Sequence, residues 1–334
     1  MPESPKLTLA LCCYKFERFV TEAVEGAFSQ TYRPLEIVIS DDHSPDSTWD
    51  RIVDVVKRRG GLKVLADASW QKSDFCGTVE MGLSNDLTLV LNRNEKNLGL
   101  ALHENKLFEL SHGEWIAFQA GDDVSLPNRM EVIAQRIAVN PQIRCLHCNT
   151  DLIDAQGAPF KVADDFKKKT KGKGSGLPNI LGASAVYHKD VYRQFGPLGA
   201  NVGNEDHVLP LRASLLGKIE WVQTPLLRYR KHGDNASGCF STDPDSAARY
   251  RLKIIHSYYQ ELDDLHTAEE KDLLVRGSLV TKFRKLLKRE ILLQWSLGHW
   301  VLHPEMRWQV IRSLLTSPSM WFVFAKRFLQ RILP

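Results

Sequence analysis

The N-terminal half of the chain alternates runs typical of β-strands with runs typical of helices, and this alternation constrains the fold more than any other feature. The β-rich runs are residues 6–14, 35–44, 86–93 and 114–121. The segments with apolar residues at helical spacing are 18–30, 47–61 and 99–113. Strands separated by helices predict a mostly parallel sheet with right-handed crossovers and helices on its faces. Ligands of such a sheet gather at the carboxyl ends of its strands.

Two of the β-rich runs end in a pair of acids. Asp41 and Asp42 close the second run, and Asp122 and Asp123 follow the fourth. Because the carboxyl ends of parallel strands meet at one edge of a sheet, both pairs are expected to line the same crevice. Acids at such positions can bind a metal ion or a substrate, or they can simply form the turn that ends a strand.

Glycine-rich phosphate-binding loops are missing from the sequence. The first strand-to-helix turn reads "CYKFERFV" and has no glycine, so it cannot wrap a pyrophosphate as a dinucleotide-binding turn does. No GxxxxGK[ST] motif occurs either. A phosphate held without such a loop needs another source of positive charge, and a divalent cation clamped by carboxylates is the usual one.

The composition is that of an ordinary globular protein. The chain has 334 residues, 43% hydrophobic and 25% charged, and its net charge of +4 gives no basis for nucleic-acid binding. No apolar run approaches the roughly 20 residues that span a bilayer, so we expect a cytoplasmic protein with reduced cysteines. Cys145 and Cys148, with His147 between them, could form half of a zinc site. Two small apolar residues in a strand is the favoured interpretation.

Five segments occur in a fixed order within residues 6–240. They read "CCYKFERFVTEAVEGAFSQTYRPLEIVISDDHSPDST", "RNEKNLGLALHENKLFELSHGEWIAFQAGDDVSLPNRM", "ILGASAVYHKDVYRQFGPL", "NEDHVLPLRAS" and "LLRYRKHGDNAS". Together they resemble the family 2 glycosyltransferases with the GT-A fold. The resemblance implies a Rossmann-like α/β fold and inverting transfer of a hexose from a nucleoside-diphosphate donor, a UDP- or dTDP-sugar, to a hydroxyl. It also implies Mn²⁺ or Mg²⁺ as cofactor and a role in polysaccharide biosynthesis.

The resemblance implies roles for residues on the donor side. Asp42, with Asp41 beside it, matches the acid that hydrogen-bonds the base or ribose. Asp122 matches the last acid of the family's DxD motif, which binds the cation that bridges the donor diphosphate. Asp123 is expected to order the turn that follows. The remaining assignments are Asn97 at the donor, Arg230 at phosphate oxygens, and His232 at the metal or diphosphate, although a lone loop histidine is often only solvated.

One position departs from the family pattern. Where many members carry the first aspartate of DxD, this chain has Ala120. The change puts a second carboxylate contact in doubt and predicts a weaker metal affinity. It also leaves open a relative that binds a sugar nucleotide or glycan without catalysis.

Two acids mark the acceptor side. In "GNEDHVLPLRASLLG", residues 203–217, Glu205 and Asp206 stand just before an amphipathic helix. By resemblance, Asp206 is the general base that takes the proton of the acceptor hydroxyl, and Glu205 positions neighbouring groups. Acids at a helix start also complement its dipole, so helix capping is the alternative.

Two further segments carry weaker indications. The basic run at 166–176, "FKKKTKGKGSG", is either a solvated loop or a mobile lid over the diphosphate or an anionic acceptor lipid. Residues 67–85 resemble an insertion on the sheet, and their sequence indicates no function.

The last third of the chain changes character. We predict a GT-A domain over 1–245 and a helical extension over 246–334. Residues 299–334 mix Trp, Phe and Leu with five basic residues and a single acid. This combination predicts peripheral contact with the inner face of the cell membrane, and helix packing on the catalytic domain is the alternative. The predicted partners are a nucleotide sugar and a glycan or lipid-linked acceptor, and a sugar-phosphate nucleotidyltransferase is the rival enzyme class.

Overall fold

The computed structural model describes most of the chain. The described residues are 5–59, 69–84, 86–162, 180, 182–233, 244–273, 277–315 and 324. The basic run 166–176, interpreted from the sequence as a solvated loop or a lid, therefore lies outside the described residues. So does most of the segment that follows residue 315.

Strands and helices alternate in the first half as the sequence predicts. The strands are β1 (Leu7–Cys13), β2 (Leu35–Asp41), β3 (Gly77–Ser84), β4 (Leu87–Arg93), β5 (Trp115–Ala120), β6 (Val124–Ser125), β7 (Ile143–Ile153), β8 (Pro159–Val162), β9 (Val186–His188) and β10 (Lys218–Arg230). The helices are α1 (Val20–Phe28), α2 (Thr48–Arg58), α3 (Leu100–Leu110), α4 (Arg129–Val139), α5 (Asp190–Arg193), α6 (Glu205–Leu216), α7 (Pro244–Glu270), α8 (Gly277–Leu302) and α9 (Arg307–Leu315).

The ten strands within the described residues join one sheet. Its order is β3-β4-β2-β1-β5-β9-β7-β10-β6, and β8 pairs with β7 outside this path. The central strands β4, β2, β1 and β5 run parallel, and so do β7 and β10. The strands β3, β6, β8 and β9 pair antiparallel with their neighbours. The predicted α/β fold with a parallel core and a helical C-terminal region is confirmed.

Burial on both faces explains why apolar residues of the central strands point to both sides of the sheet rather than to one side only. Every residue of β2 is buried, as is nearly all of β1. One face packs against apolar residues of α1, α2 and α4. The opposite face packs against α3 and α6. The helices thus fix the sheet, and the strand ends are left to carry polar residues.

The segment predicted as an insertion forms the edge of the sheet where it is described. Trp70 is fully buried, and Phe75 stacks on Trp49 of α2 at 5.5 Å between ring centroids. The strand β3 follows and pairs antiparallel with β4. Its side chains alternate between exposed and partly buried, as expected of an edge strand with one face on the core.

The C-terminal helices are docked on the sheet domain through α6. Apolar residues of α6, α7 and α8 form one cluster. Within the same contact, Arg212 of α6 donates from Nε and Nη2 to the carboxylate of Asp264 in α7, at 2.7 and 3.0 Å, and both side chains are buried. None of the described helices combines the length and apolarity needed to cross a bilayer.

Candidate active site

The two acid pairs lie at the same edge of the sheet. Beyond the strands, Asp42 donates its backbone N–H to the carbonyl of Cys13 at 2.9 Å, and Gly121 donates to that of Cys12 at 3.0 Å. Asn94, which follows β4, donates its backbone N–H to the carbonyl of Asp41 at 2.9 Å. The chain ends of four parallel strands are therefore joined side by side, as the sequence predicts for such a crevice.

Asp41 uses its carboxylate within the protein. Its two oxygens accept hydrogen bonds from the side chain and the backbone N–H of Ser44, at 2.5 and 3.0 Å. The guanidinium of Arg93 lies 3.2 Å away. Burial raises the pKa of Asp41, although these partners oppose that rise. The geometry gives Asp41 the turn-forming role, and a contact with a donor base stays a prediction.

Asp42 holds the loop between β4 and α3. Its Oδ1 accepts from the side chain of Asn94 at 2.8 Å and from the backbone N–H of Leu98 at 2.9 Å. Its Oδ2 accepts from the backbone N–H of Gly99 at 3.0 Å. Asn97 lies in this loop and is exposed. The arrangement brings Asn97 to the crevice edge beside Asp42, and donor contacts by either residue stay a prediction.

The side chain of Asp122, which follows β5, contacts the side chain of His232, which follows β10. His232 Nε2 lies 2.9 Å from Asp122 Oδ2, and both side chains are largely buried. The ring of Phe19, just before α1, packs on the His232 ring with 4.7 Å between centroids. The sequence assigned both Asp122 and His232 to the metal, and the fold does place them together. Phe19, which orients the imidazole, gave no signal in the sequence.

Arg230 is buried and bonded to the protein rather than directed at solvent. Its Nε donates to the carbonyl of Asp122 at 2.9 Å, and its Nη2 donates to Glu22 of α1 at 2.9 Å. Its Nη1 donates to the carbonyl of Asp154 at 3.2 Å, and the guanidinium lies over the Phe19 ring. These contacts make Arg230 a positioning residue for the Asp122 backbone. The phosphate contact predicted for it stays a prediction.

Asp123 is bonded to β10 rather than to the turn that follows it. Its Oδ1 accepts from the backbone N–H of Arg230 at 2.9 Å. Its Oδ2 has no hydrogen-bond partner among the described residues. Burial, with Asp122 beside it, raises the pKa of Asp123 well above its ordinary value. Asp123 thus joins β10 to the end of β5 and also interacts electrostatically with Arg129 at the start of α4, and its ordering of the turn between them stays a prediction.

The donor atoms at Asp122 and His232 fit a divalent cation. A carboxylate oxygen and an imidazole nitrogen are both common ligands, and the nitrogen favours a transition metal such as Mn²⁺ over Mg²⁺. In the part of the chain that the structure describes, no group of three or more His, Cys, Asp or Glu side chains could hold a metal ion. Two protein ligands leave positions for phosphate oxygens and water, which is typical of metal sites that bind phosphate substrates.

Glu205 and Asp206 form the first turn of α6. Burial, and then Asp206, raises the pKa of Glu205 to about 8. Burial also raises the pKa of Asp206. Gly182 contacts this turn closely, because a Cβ at that position would lie 2.8 Å from the Asp206 Cβ. Two acids with raised proton affinity at a helix start suit proton transfer, whereas simple capping would favour ionised carboxylates.

Glu104 on α3 is a third acid close to Glu205 and Asp206. It is buried, and its Oε2 has no hydrogen-bond partner among the described residues. Burial, followed by the charges of Glu205 and Asp206, raises its pKa well above the ordinary value. Sequence reasoning missed Glu104 because a polar residue within a helix is usually assigned to the solvent face.

A buried polar chain joins the same helix to the first two strands. His103 Nδ1 lies 3.1 Å from Cys12 Sγ, and His103 Nε2 lies 2.7 Å from Ser40 Oγ. Burial lowers the pKa of His103 to about 4, so its imidazole is neutral at physiological pH. Cys12 lies between the acid groups, since Glu104, Asp42 and Glu205 all raise the pKa of its thiol after burial does.

Cys145 and Cys148 lie in β7 and are buried, free thiols. Burial raises the pKa of both thiols and lowers the pKa of His147 to about 4. These groups belong to the packed sheet, as the favoured interpretation of the sequence holds.

Comparison with known proteins gives the context of this site. The model of glycosyl transferase family 2 matches residues 8–70. An uncharacterized glycosyltransferase of Haemophilus influenzae is 21% identical over 277 residues, which is 78% of this chain and 76% of that protein. WfaP of Escherichia coli, a UDP-Glc:alpha-D-GlcNAc-diphosphoundecaprenol beta-1,3-glucosyltransferase, is 26% identical over 117 residues, 35% of each chain.

Solved structures share the fold over nearly the whole chain. S. aureus TarS 1–349 in complex with UDP-GlcNAc has a TM-score of 0.55 at 14% identity, covering 97% of this chain and 92% of that one. The mannosyltransferase PcManGT of Pyrobaculum calidifontis, in complex with GDP-Man and Mn²⁺, has a TM-score of 0.51 at 15% identity and covers 99% and 81%. The fold is therefore GT-A. Residues 8–70 are similar to glycosyl transferase family 2, the relatives found are glycosyltransferases, and the protein is a transferase.

Proposed function

We propose that this protein is an inverting glycosyltransferase that moves a sugar from a nucleoside-diphosphate donor to a hydroxyl of a glycan or lipid-linked acceptor. The observation that carries the proposal is the presence of two different acid sites near the end of β1, where Glu205 raises the pKa of Cys12 and Asp122 raises that of Cys13, in each case after burial does. Asp122 with His232 offers ligands for a cation, and Glu205 with Asp206 offers a carboxylate of raised pKa. Transfer from a sugar diphosphate needs both kinds of group.

On the donor side, Asp122 and His232 would hold Mn²⁺ or Mg²⁺. When bound, such a cation neutralises the diphosphate and the leaving nucleoside diphosphate. Arg230 fixes the Asp122 main chain from β10, and Phe19 packs on the His232 ring, so neither ligand has to be ordered on donor binding. Asp42 holds the loop that carries Asn97, beside which we place the base and ribose.

On the acceptor side, Asp206 acts as the base. The acceptor oxygen attacks the anomeric carbon from the face opposite the diphosphate, Asp206 takes its proton, and the nucleoside diphosphate leaves with the bonding electrons. A raised pKa makes Asp206 a better proton acceptor than an exposed aspartate. Glu205, with a pKa raised to about 8, keeps its proton at neutral pH and so leaves the ionised state to Asp206.

The donor we propose is a UDP- or dTDP-sugar. The family relative WfaP is named for UDP-Glc, and TarS is solved with UDP-GlcNAc. The complex of PcManGT contains GDP-Man, so a screen of nucleotide sugars is needed to identify the nucleobase of the donor.

The acceptor we propose is a lipid-linked or surface glycan reached at the inner face of the cell membrane. WfaP is named for a diphosphoundecaprenol acceptor. On α9 the indole of Trp308 is 63% exposed, and Arg307 and Arg312 on the same helix are also exposed. An exposed aromatic ring with cationic neighbours suits the headgroup region of an anionic bilayer. Residues 316–323 and 325–334, which were included in this prediction, lie outside the described residues.

The proposal is tested by screening nucleotide sugars with Mn²⁺ and with Mg²⁺. We expect one donor to raise the thermal midpoint only with the metal present, and nucleoside diphosphate to be released when a cell-envelope extract supplies the acceptor. Failure of all donors to bind or to release diphosphate would refute the proposed reaction. Pyrophosphate released from a nucleoside triphosphate and a sugar phosphate would instead identify a nucleotidyltransferase.

A further inference from the structure

The helix α7, which begins the predicted C-terminal extension, contacts the segment directly before Glu205. Tyr250 donates its hydroxyl to the side-chain oxygen of Asn204 at 2.9 Å. Ser257 Oγ accepts the backbone N–H groups of Gly203 and Asn204, at 3.1 and 3.0 Å. One helix face thus bonds to two consecutive residues that lead into the acid pair.

These bonds replace the usual capping of α6. Asn204 is the N-cap residue of α6, but its side chain makes no capping bond to its own helix. The Oδ1 atom of Asn204 instead accepts a hydrogen bond from the hydroxyl of Tyr250. The backbone N–H groups that Ser257 accepts stand just ahead of the helix, where irregular chain leaves donors in need of partners. The start of α6 is therefore positioned by α7 rather than by its own sequence.

The fit on both sides of the acid pair is close. A Cβ at Gly203 would lie 3.1 Å from Lys253 Cγ of α7, so α7 packs directly on this residue. A further bond lies earlier in the chain, where Gln260 Oε1 accepts the backbone N–H of Gly199 at 3.1 Å. Gly182, before β9, contacts Asp206 itself. Asp206 therefore packs against the loop before β9 and follows directly on a segment bonded to α7.

We propose that α7 is a positioning element of the active site, in which Tyr250 and Ser257 hold the segment that aims Asp206 at the acceptor hydroxyl. The inference rests on the proposed role of Asp206 as base. It extends the catalytic unit beyond the boundary at residue 245 predicted from the sequence, because a chain ending there would lack the partners of residues 199, 203 and 204. The helical extension then contributes to catalysis independently of any contact with a membrane.

The test compares two tyrosines of the same helix. Tyr250→Phe removes one hydroxyl and little else, and Tyr259→Phe is the matched control because Tyr259 is 52% exposed. We expect Tyr250→Phe to lower kcat roughly tenfold, since small displacements of a reacting group cost large factors in rate. The KM for the nucleotide sugar and the thermal midpoint should stay close to those of Tyr259→Phe. A purely structural tyrosine would instead lower the thermal midpoint without a selective loss of kcat.

A second pair of variants gives an independent readout. Ser257→Ala removes the acceptor for two backbone N–H groups, whereas Ser257→Thr keeps the hydroxyl. We expect kcat to fall in Ser257→Ala and to recover in Ser257→Thr, with donor binding by thermal shift unchanged in both. If Tyr250→Phe and Ser257→Ala transfer sugar as fast as the control, α7 has no positioning role, while the active wild type preserves the proposed function. A wild type that binds and turns over no donor would refute both.

Discussion

The metal-candidate region and the base region are built on opposite principles. Around Asp122, polar groups have partners: His232 Nε2 lies 2.9 Å from the Asp122 carboxylate, and the buried Arg230 bonds to the Asp122 main chain and to Glu22. Around Asp206, acids are crowded: Glu104 and Glu205 share the site, and burial raises the pKa of all three. Under the proposed function, the first region would hold a cation, and the second would hold and move protons.

The difference also lies in what supports each region. Asp122 is fixed by β5 and β10 within the sheet itself. The residue directly before Glu205 and Asp206, Asn204, is bonded to a helix that begins about forty residues further along the chain. The metal-candidate region should therefore respond mainly to charge changes and to metal concentration, whereas the base region should respond to pH and to changes in α7.

The largest effect is expected from Asp206→Asn, which removes the proton acceptor and keeps the shape. We expect the transfer rate to fall by about 100- to 10,000-fold, the contribution typical of a general base. Binding of the nucleotide sugar with Mn²⁺ should remain, as measured by thermal shift. The control is Asp263→Asn, an exposed aspartate on α7. Unchanged transfer in Asp206→Asn would support the alternative of a relative that binds without catalysis.

The next largest effect is expected from Asp122→Ala, and it is a loss of metal affinity. Removal of one of two protein ligands should lower Mn²⁺ affinity by about 10- to 100-fold or more, because the remaining imidazole is a single ligand. Titration of Mn²⁺ against nucleotide binding measures the loss, and added Mn²⁺ should restore part of it. Asp74→Ala, at an exposed position just before β3, is the matched control. Equal Mn²⁺ affinity in the two variants would exclude Asp122 from the metal site.

The acid cluster predicts that stability falls as pH rises. Glu205 has a pKa raised to about 8 from 4.5, so the folded chain binds its proton more tightly than the unfolded chain does. That contribution to stability is complete below pH 4.5 and is lost as pH rises towards 8. The midpoint of thermal unfolding should fall over this interval, and less steeply in Glu205→Gln. Glu95→Gln, which changes an exposed acid, should keep the wild-type slope, and equal slopes in both variants would contradict the raised pKa.

The sequence predicted the elements and residues for which the hydrophobic periodicity and the local residue types indicate the same structure. Buried runs such as β1 and β2 are mostly apolar, so both were found to within three residues at each end. The acids that follow them were found because strand ends of a parallel sheet meet at one edge. The acids Glu205 and Asp206 mark a helix start in the sequence, and the helix does begin there, whereas their site role was assigned by resemblance and stays a prediction.

The rest depended on contacts between distant parts of the chain. Arg230 beside a histidine resembles a phosphate ligand in the sequence, and only the fold shows its guanidinium buried against the Asp122 carbonyl. Glu104 falls on the buried side of α3, where helical periodicity alone gives no reason to expect an acid. The partners of Asn204 come from α7, and no local pattern connects a helix start with a tyrosine 46 positions later.

The smallest effect is expected from restoring the acid that the family pattern has at Ala120. This residue ends β5 and pairs in register with Cys12, whose thiol is influenced by Asp42, Glu104 and Glu205. Ala120→Asp therefore adds a charge beside other acids and should lower the thermal midpoint without metal. With Mn²⁺ present the added carboxylate should raise metal affinity, by roughly threefold to tenfold, because affinity follows the number of charged ligands. Ala120→Asn is the uncharged control. If Ala120→Asp is destabilised equally with and without Mn²⁺, then the end of β5 does not face the cation, and the single acid Asp122 is the whole contribution of this strand.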